Sequence, residues 1–297
     1  MIVRDYGNGI KIEDVTDFHV DHIFDCGQCF RWEKNEDGSY SGIAYGRAVT
    51  VAYDDARHIL QIDHASAKDF ELIWKHYFDL ERDYGAIKEQ LAADDPVMRR
   101  AIASGSGIRI LNQEKWETLV SFIISQNNNI PRIKKCIASL AEQLGESAGL
   151  YRGRMWYSLP SPEVLAKATL ADLAPCRLGY RAKYLLEAAR QVVAEGKEHL
   201  ETLGEPGFST EEVLEQLRSY CGVGPKVASC IALFSMGRID SFPIDTWVKK
   251  VMSQMYGIRE HDVQAMAAYA AQHFGEYGGI AQQYLFYEIT HQKPVDK

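Results

Sequence analysis

The stretch Leu217-Arg-Ser-Tyr-Cys-Gly-Val-Gly-Pro-Lys-Val-Ala-Ser-Cys230 decides how the rest of the chain is read. Thr210 is a plausible N-cap for a helix that runs to about Ser219. A turn follows at Gly222-Val-Gly224, and Pro225 stands where the first residue of a second helix tolerates it. Two helices joined in this way leave unpaired backbone N–H groups at the second N-terminus, which can hold a phosphate without side-chain charge. A tight turn between helices also needs glycine for purely structural reasons. The turn alone therefore leaves scaffold and anion site both open.

Working outward, Val227, Cys230, Ile231 and Phe234 fall on one face of the second helix. Trp116, Leu119, Val120, Ile123 and Ile124 form a second stripe of helical period. Breakers at Pro131, Pro160, Pro162, Pro206-Gly207 and Pro243 separate helices of ordinary length. Before Phe70 the pattern differs. Ile43-Ala-Tyr-Gly-Arg-Ala-Val-Thr-Val-Ala-Tyr53 and His58-Ile-Leu-Gln-Ile62 read as strands, with turns at Asn35-Glu-Asp-Gly38 and Asp54-Asp55. The expectation is an α+β chain: an N-terminal antiparallel β-sheet domain over 1–80 and an all-helical domain over 81–297.

The chain has 297 residues, 46% of them apolar and 25% charged, which excludes a disordered chain. No apolar run approaches roughly 18 residues, so no membrane span or membrane partner is expected. The N-terminus lacks a basic segment followed by an apolar run, and the six cysteines are scattered. Reduced thiols in an intracellular protein follow as the expectation: cytoplasmic or nucleoid in a bacterium, nuclear in a eukaryote. Cys26-x-x-Cys29 has no second CxxC or close His pair, so no metal is expected. There is no P-loop, no dinucleotide glycine fingerprint and no HExxH.

Lys226 lies in the first turn of the second helix, where the macrodipole disfavours a positive charge. That is a poor place for a stabilising lysine and a useful one for a neutral amine nucleophile. Nineteen residues on, Asp245 lies in Phe242-Pro-Ile-Asp-Thr-Trp247, poised to cap a third helix. It reads as a cap, or as a carboxylate paired with the lysine. Cys230 is one helical turn from Lys226 and reads as a small core residue or a member of the site.

Cys221-Gly-Val-Gly-Pro-Lys-Val-Ala228 together with Phe242-Pro-Ile-Asp245 resembles the lysine-bearing form of the helix-hairpin-helix (HhH-GPD) DNA glycosylases. Four more segments resemble the 8-oxoguanine DNA glycosylases. They are Cys26-Gly-Gln-Cys-Phe-Arg-Trp32, Ser125-Gln-Asn-Asn-Asn-Ile-Pro-Arg132, Leu178-Gly-Tyr-Arg-Ala-Lys-Tyr184 and Ala281-Gln-Gln-Tyr-Leu-Phe286. The resemblance implies a bifunctional glycosylase and AP lyase, monomeric and cofactor-free, acting on double-stranded DNA that contains 8-oxoguanine opposite cytosine. Lys226 would attack the sugar C1′, and Asp245 would stabilise the developing positive charge. Cys230 would lie against the base, an arrangement open to a thiolate paired with the Lys226 ammonium. Gly27 would offer its carbonyl to the N7 proton of the oxidised base, Gln282 would bond the base edge, and Phe286 would stack on it. Gln282 and Phe286, four residues apart, share a helix face.

On the opposite strand, Asn127, Arg132 and Arg181 would read the orphaned cytosine while Tyr180 fills the gap. The Gly222 and Gly224 turn would hold the backbone. Trp247 stands where vertebrate-type members carry a phosphate-contacting histidine, which alters the DNA contacts expected there. The Cys-x6-Cys-x2-Cys-x5-Cys run of the iron–sulfur members is absent. Two other readings remain: a monofunctional glycosylase for another damaged base, which would not need Lys226, and a non-catalytic DNA-binding protein, which would bind without releasing base.

A net charge of −8 weighs against a polyanion partner only if the charge is evenly spread. Residues 1–80 carry 8 Lys/Arg and 15 Asp/Glu, while 125–190 carry 10 and 5. The basic footprint is narrow. It predicts few phosphate contacts and a shallow dependence of DNA affinity on salt; a slope as steep as that of a many-contact repressor (roughly −10 in log–log form) would overturn this charge argument.

Overall fold

The computed structural model describes residues 1–291. Strands β1 (Ile2–Tyr6), β2 (Gly9–Glu13), β3 (Trp32–Lys34), β4 (Tyr40–Ala44), β5 (Arg47–Asp54) and β6 (Ile59–Asp63) form one antiparallel sheet in the order β1-β2-β6-β5-β4-β3. The meander β3–β6 is thus extended by the N-terminal hairpin, with Ile10 of β2 opposite Ile62 of β6. The expected single strand over 43–53 is a hairpin, because Tyr45 and Gly46 both take positive φ and turn the chain.

One face of the sheet packs Ile10, Ile12, Tyr40, Val49, Val51, Leu60 and Ile62 against Phe70, Trp74, Tyr77 and Phe78. Its other face is covered at β4 and β5 by a second hairpin, β7 (Ser147–Tyr151) and β8 (Arg154–Tyr157), through Ile43, Ala48 and Trp156. The Tyr151 hydroxyl donates to Thr50 Oγ1 at 2.8 Å. Strands buried on both faces do not alternate in polarity. This hairpin also interrupts a region expected to be wholly helical.

The main helices are α1 (Val20–Phe24), α2 (Pro96–Ser104), α3 (Lys115–Ser125), α4 (Ile130–Leu144), α5 (Arg181–Glu195), α6 (Thr210–Arg218), α7 (Pro225–Ser235), α8 (Thr246–Tyr256), α9 (Val263–His273) and α10 (Gly278–His291). Helix α7 is the most enclosed: Val227, Ala228, Cys230, Ile231, Ala232, Leu233 and Phe234 are all buried. Leu119, Val120, Ile123 and Ile124 of α3 share that core. The N-cap of α6 is Ser209, one residue before the expected Thr210. From Ser209 the third helical residue is Glu212, which closes a reciprocal capping box; from Thr210 it would be Val213.

Asp95 ties α2 to α8 and α9. One carboxylate oxygen accepts from the Val97 and Met98 N–H groups at 2.8 and 3.0 Å, the other from Tyr256 Oη at 2.8 Å and His273 Nε2 at 2.9 Å. Burial raises the carboxyl's pKa, but the bonds from Met98, His273, Tyr256 and Val97 outweigh it and the net shift is downward. The stabilisation is therefore complete above the ordinary Asp value of 3.8 and lost as pH falls through the lower folded value. Asp95→Ala should cost about 2 kcal/mol in urea unfolding at pH 7. The difference should narrow at acid pH; an undiminished gap there would assign the loss to packing instead.

Candidate active site and nucleic-acid interface

The turn between α6 and α7 forms as its glycines predict, but the two do different work. Gly222 has φ +82°, and a Cβ there would lie 2.8 Å from the Tyr184 side chain, so the fold itself requires glycine. Gly224 has φ −89° and open space around it. A side chain would fit there, and its absence instead leaves the α7 N-terminus bare to an approaching group. The Val223 N–H donates to Tyr220 O at 3.0 Å, and no side chain caps the first N–H groups of α7.

Lys226 is the second residue of α7, its Nζ 5.4 Å from the Phe122 ring centroid. Asp245 caps α8, accepting from the Val248 N–H at 2.8 Å. The carboxylate is held in place by this bond and still lines the same cleft as Lys226, so cap and site residue are one. That open cleft is lined by Gly27, Phe122, Lys226, Cys230, Asp245, Gln282 and Phe286 among others. The catalytic and base-pocket residues expected from the sequence thus come together, although they lie as far apart as positions 27 and 286.

Cys230 is buried. Burial pushes its thiol pKa up, and the neighbouring Lys226 ammonium offsets this only in part. The balance of these effects favours the thiol over the thiolate. Gly27 has φ +77°, and a Cβ there would come within 3.2 Å of Phe286 Cε1. The glycine lets main chain and aromatic ring form opposite walls of one slot. Gln282 is 3% exposed, and its Oε1 accepts from Gln283 Nε2 at 2.8 Å. Gln283 Oε1 is a buried acceptor with no partner among the described residues. Cys26 and Cys29 point into different cores, Cys26 with the helices and Cys29 with the sheet.

A second constellation lies at the end of α3. Asn127 takes φ +46°, the left-handed conformation that asparagine tolerates, and its Nδ2 donates to Tyr180 Oη at 3.2 Å. Asn129 caps α4 by accepting from the Arg132 N–H at 3.0 Å. Tyr180 is 49% exposed and meets Tyr184 edge-on at 5.5 Å. Arg181 is turned inward in this structure. It is 3% exposed, and its guanidinium donates to the carbonyls of Gln126, Asn127 and Leu178. A helix end leaves such carbonyls without intrahelical partners, and the arginine satisfies them. Arg132 is exposed and stands apart, reaching Arg177 O at 3.5 Å. Trp247 is exposed in the first turn of α8, with Lys250 Nζ 4.6 Å from its ring centroid.

Sequence reading passed over Phe122, Gln126 and Gln28. Phe122 is off the stripe that marked α3, and the two glutamines act through bonds to distant backbone that no local pattern signals.

Residues 11–119 match the family described as 8-oxoguanine DNA glycosylase, N-terminal domain, and residues 120–274 match the HhH-GPD superfamily base excision DNA repair protein family. The N-glycosylase/DNA lyase OGG1 of Arabidopsis thaliana is 30% identical over 295 residues, covering 94% of this chain and 80% of that protein. The N-glycosylase/DNA lyase of Saccharomyces cerevisiae is 40% identical over 164 residues, 52% of this chain and 43% of that protein. A solved structure of Clostridium acetobutylicum 8-oxoguanine glycosylase/lyase, in complex with dsDNA containing cytosine opposite 8-oxoG, matches with a TM-score of 0.91 at 39% identity, covering 97% of each chain. With these matches across both the sheet and the helices, the chain belongs to the HhH-GPD superfamily of base excision DNA repair proteins and, within it, to the 8-oxoguanine DNA glycosylases.

Proposed function

We propose that the chain releases 8-oxoguanine opposite cytosine from duplex DNA and then cleaves the strand at the abasic site. The observation that carries this reading is the convergence of Lys226, Asp245, Cys230, Gly27, Gln282 and Phe286 on one cleft. A base inside a duplex is out of reach, so the nucleotide must be flipped into that cleft. There Phe286 offers a ring face, Gln282 an amide for the base edge, and Gly27 a carbonyl for the N7 proton that guanine lacks.

The Lys226 amine forms a bond to C1′ as the C1′–N9 bond breaks, and the base leaves with that electron pair and takes up a proton. Loss of the amine proton and opening of the sugar ring give a Schiff base. Removal of a proton from C2′ then expels the 3′ phosphate and breaks the strand. The Asp245 carboxylate, pinned by its capping bond, stands against the positive charge that develops on the sugar. Burial favours the neutral form of Cys230, which withholds a thiolate from the lysine. The nucleophile and the charge-stabilising carboxylate both belong to this chain, and the proton-transfer steps call for no metal.

Borohydride should trap a covalent adduct between the protein and an 8-oxoguanine:cytosine duplex, and Lys226→Gln should abolish it. Wild-type protein that releases base and cuts DNA but never traps would sink the Schiff-base route. Gly27→Ala should slow base release by about 10–100-fold, because a displacement of about 1 Å in the slot is enough to cost that much. Trapping on a preformed abasic duplex should suffer far less; equal loss in both assays would show that Gly27 supports the fold and not the base.

A further inference from the structure

We propose that Gln126 is a positioning residue that couples reading of the base opposite the lesion to the placement of the lysine-bearing turn. The inference rests on the function proposed above. Gln126 is the C-cap of α3, with extended backbone that takes its carbonyl out of the helix ladder. That carbonyl accepts from Arg181 Nε at 2.8 Å, from Arg181 Nη2, and from the Tyr180 hydroxyl at 3.4 Å. The other end of the residue faces the active site. Its side-chain Nε2 donates to Gly222 O at 2.8 Å and to Ile123 O at 3.1 Å. Gly222 lies four residues before Lys226, in the turn that launches α7.

A second contact reaches the same glycine. Tyr184 sits where a Gly222 Cβ would be, 2.8 Å away, and packs edge-on against Tyr180. The wedge Tyr180 is thus connected to Gly222 by ring packing on one side and by Gln126 on the other. Residue type matters here. A glutamine reaches the Gly222 carbonyl and donates to it, whereas Met or Glu of similar length offers no donor.

Cytosine carries adjacent acceptors on its pairing edge, which suit the donors of Asn127 and Arg181; adenine offers an acceptor beside a donor. Drawing the Arg181 guanidinium toward cytosine takes hydrogen bonds from the Gln126 carbonyl, drawing the Asn127 amide away frees the Tyr180 hydroxyl, and the Gln126 side-chain amide passes the displacement to Gly222 and so to Lys226. Cytosine would then help to set the lysine, and a wrong opposite base would leave it less well placed.

The test is single-turnover release of 8-oxoguanine placed opposite cytosine and opposite adenine, by wild type, Gln126→Met and Gln126→Glu. The glutamate variant keeps a polar side chain at this half-buried position and provides a folded alternative if the methionine variant is unstable. The preference of wild type for cytosine should shrink by about five- to tenfold in both variants, the effect of losing one hydrogen bond made in the productive complex. The loss should appear in the chemical rate and not in duplex affinity. Equal slowing on both duplexes would reduce Gln126 to a support of the fold and overturn the coupling, as would an unchanged preference. A wild-type chain that does not prefer cytosine removes the coupling together with the reading on which it rests.

Discussion

One buried side-chain amide holds the two halves of the site in register. Gln28 donates from Nε2 to Ile23 O and Arg109 O, each at 2.9 Å, and accepts on Oε1 from the Leu111 N–H at 2.9 Å. Its own carbonyl accepts from Gln113 Nε2 at 2.8 Å, and the Gln113 N–H donates to Phe234 O, near the end of α7, at 2.9 Å. The residue after Gly27 is thereby linked, through Gln113, to the helix that carries Lys226 and Cys230. Apolar contacts between sheet and helices would tolerate sliding; directional bonds with every donor satisfied do not. The distance between the base-contacting main chain and the nucleophile is therefore set by hydrogen-bond geometry in the interior.

The features legible in the sequence were local. Gly222 and Pro225 announce a turn and a helix start, and Asp245 announces a cap, because each meets a local backbone requirement. The Cys26–Trp32 segment was legible only by resemblance, since nothing in its composition shows that Trp32 stacks on Phe24 and bonds Tyr77 Oη at 2.8 Å. The hairpin at 147–157 was missed because its purpose is remote: it covers Ile43 and Ala48, residues more than 90 positions earlier. The inward bonds of Arg181 were illegible for a similar reason. An arginine at a helix start reads as a surface charge until the carbonyls it satisfies, more than 50 residues away, are known.

The basic segment 125–190 is less basic toward solvent than its residue count suggests. Arg181 is turned inward, Lys134 donates to Trp32 O at 2.8 Å, and Arg154 pairs with Glu33 at 2.8 Å. Arg190 reaches Ala166 O at 3.2 Å. Those cations bond to neighbouring backbone and side chains, so the count of lysines and arginines overstates what is free to meet a polyanion.

All six cysteines are free. Burial raises the thiol pKa of Cys26 to about 12, of Cys221 to about 11, and pushes Cys29, Cys176 and Cys230 upward as well. Peroxide attacks thiolates, not thiols. A protein for oxidised guanine must work while the chemistry that makes its substrate is under way. Enclosing the thiol beside Lys226 and raising its pKa both work against the thiolate that such an oxidant attacks.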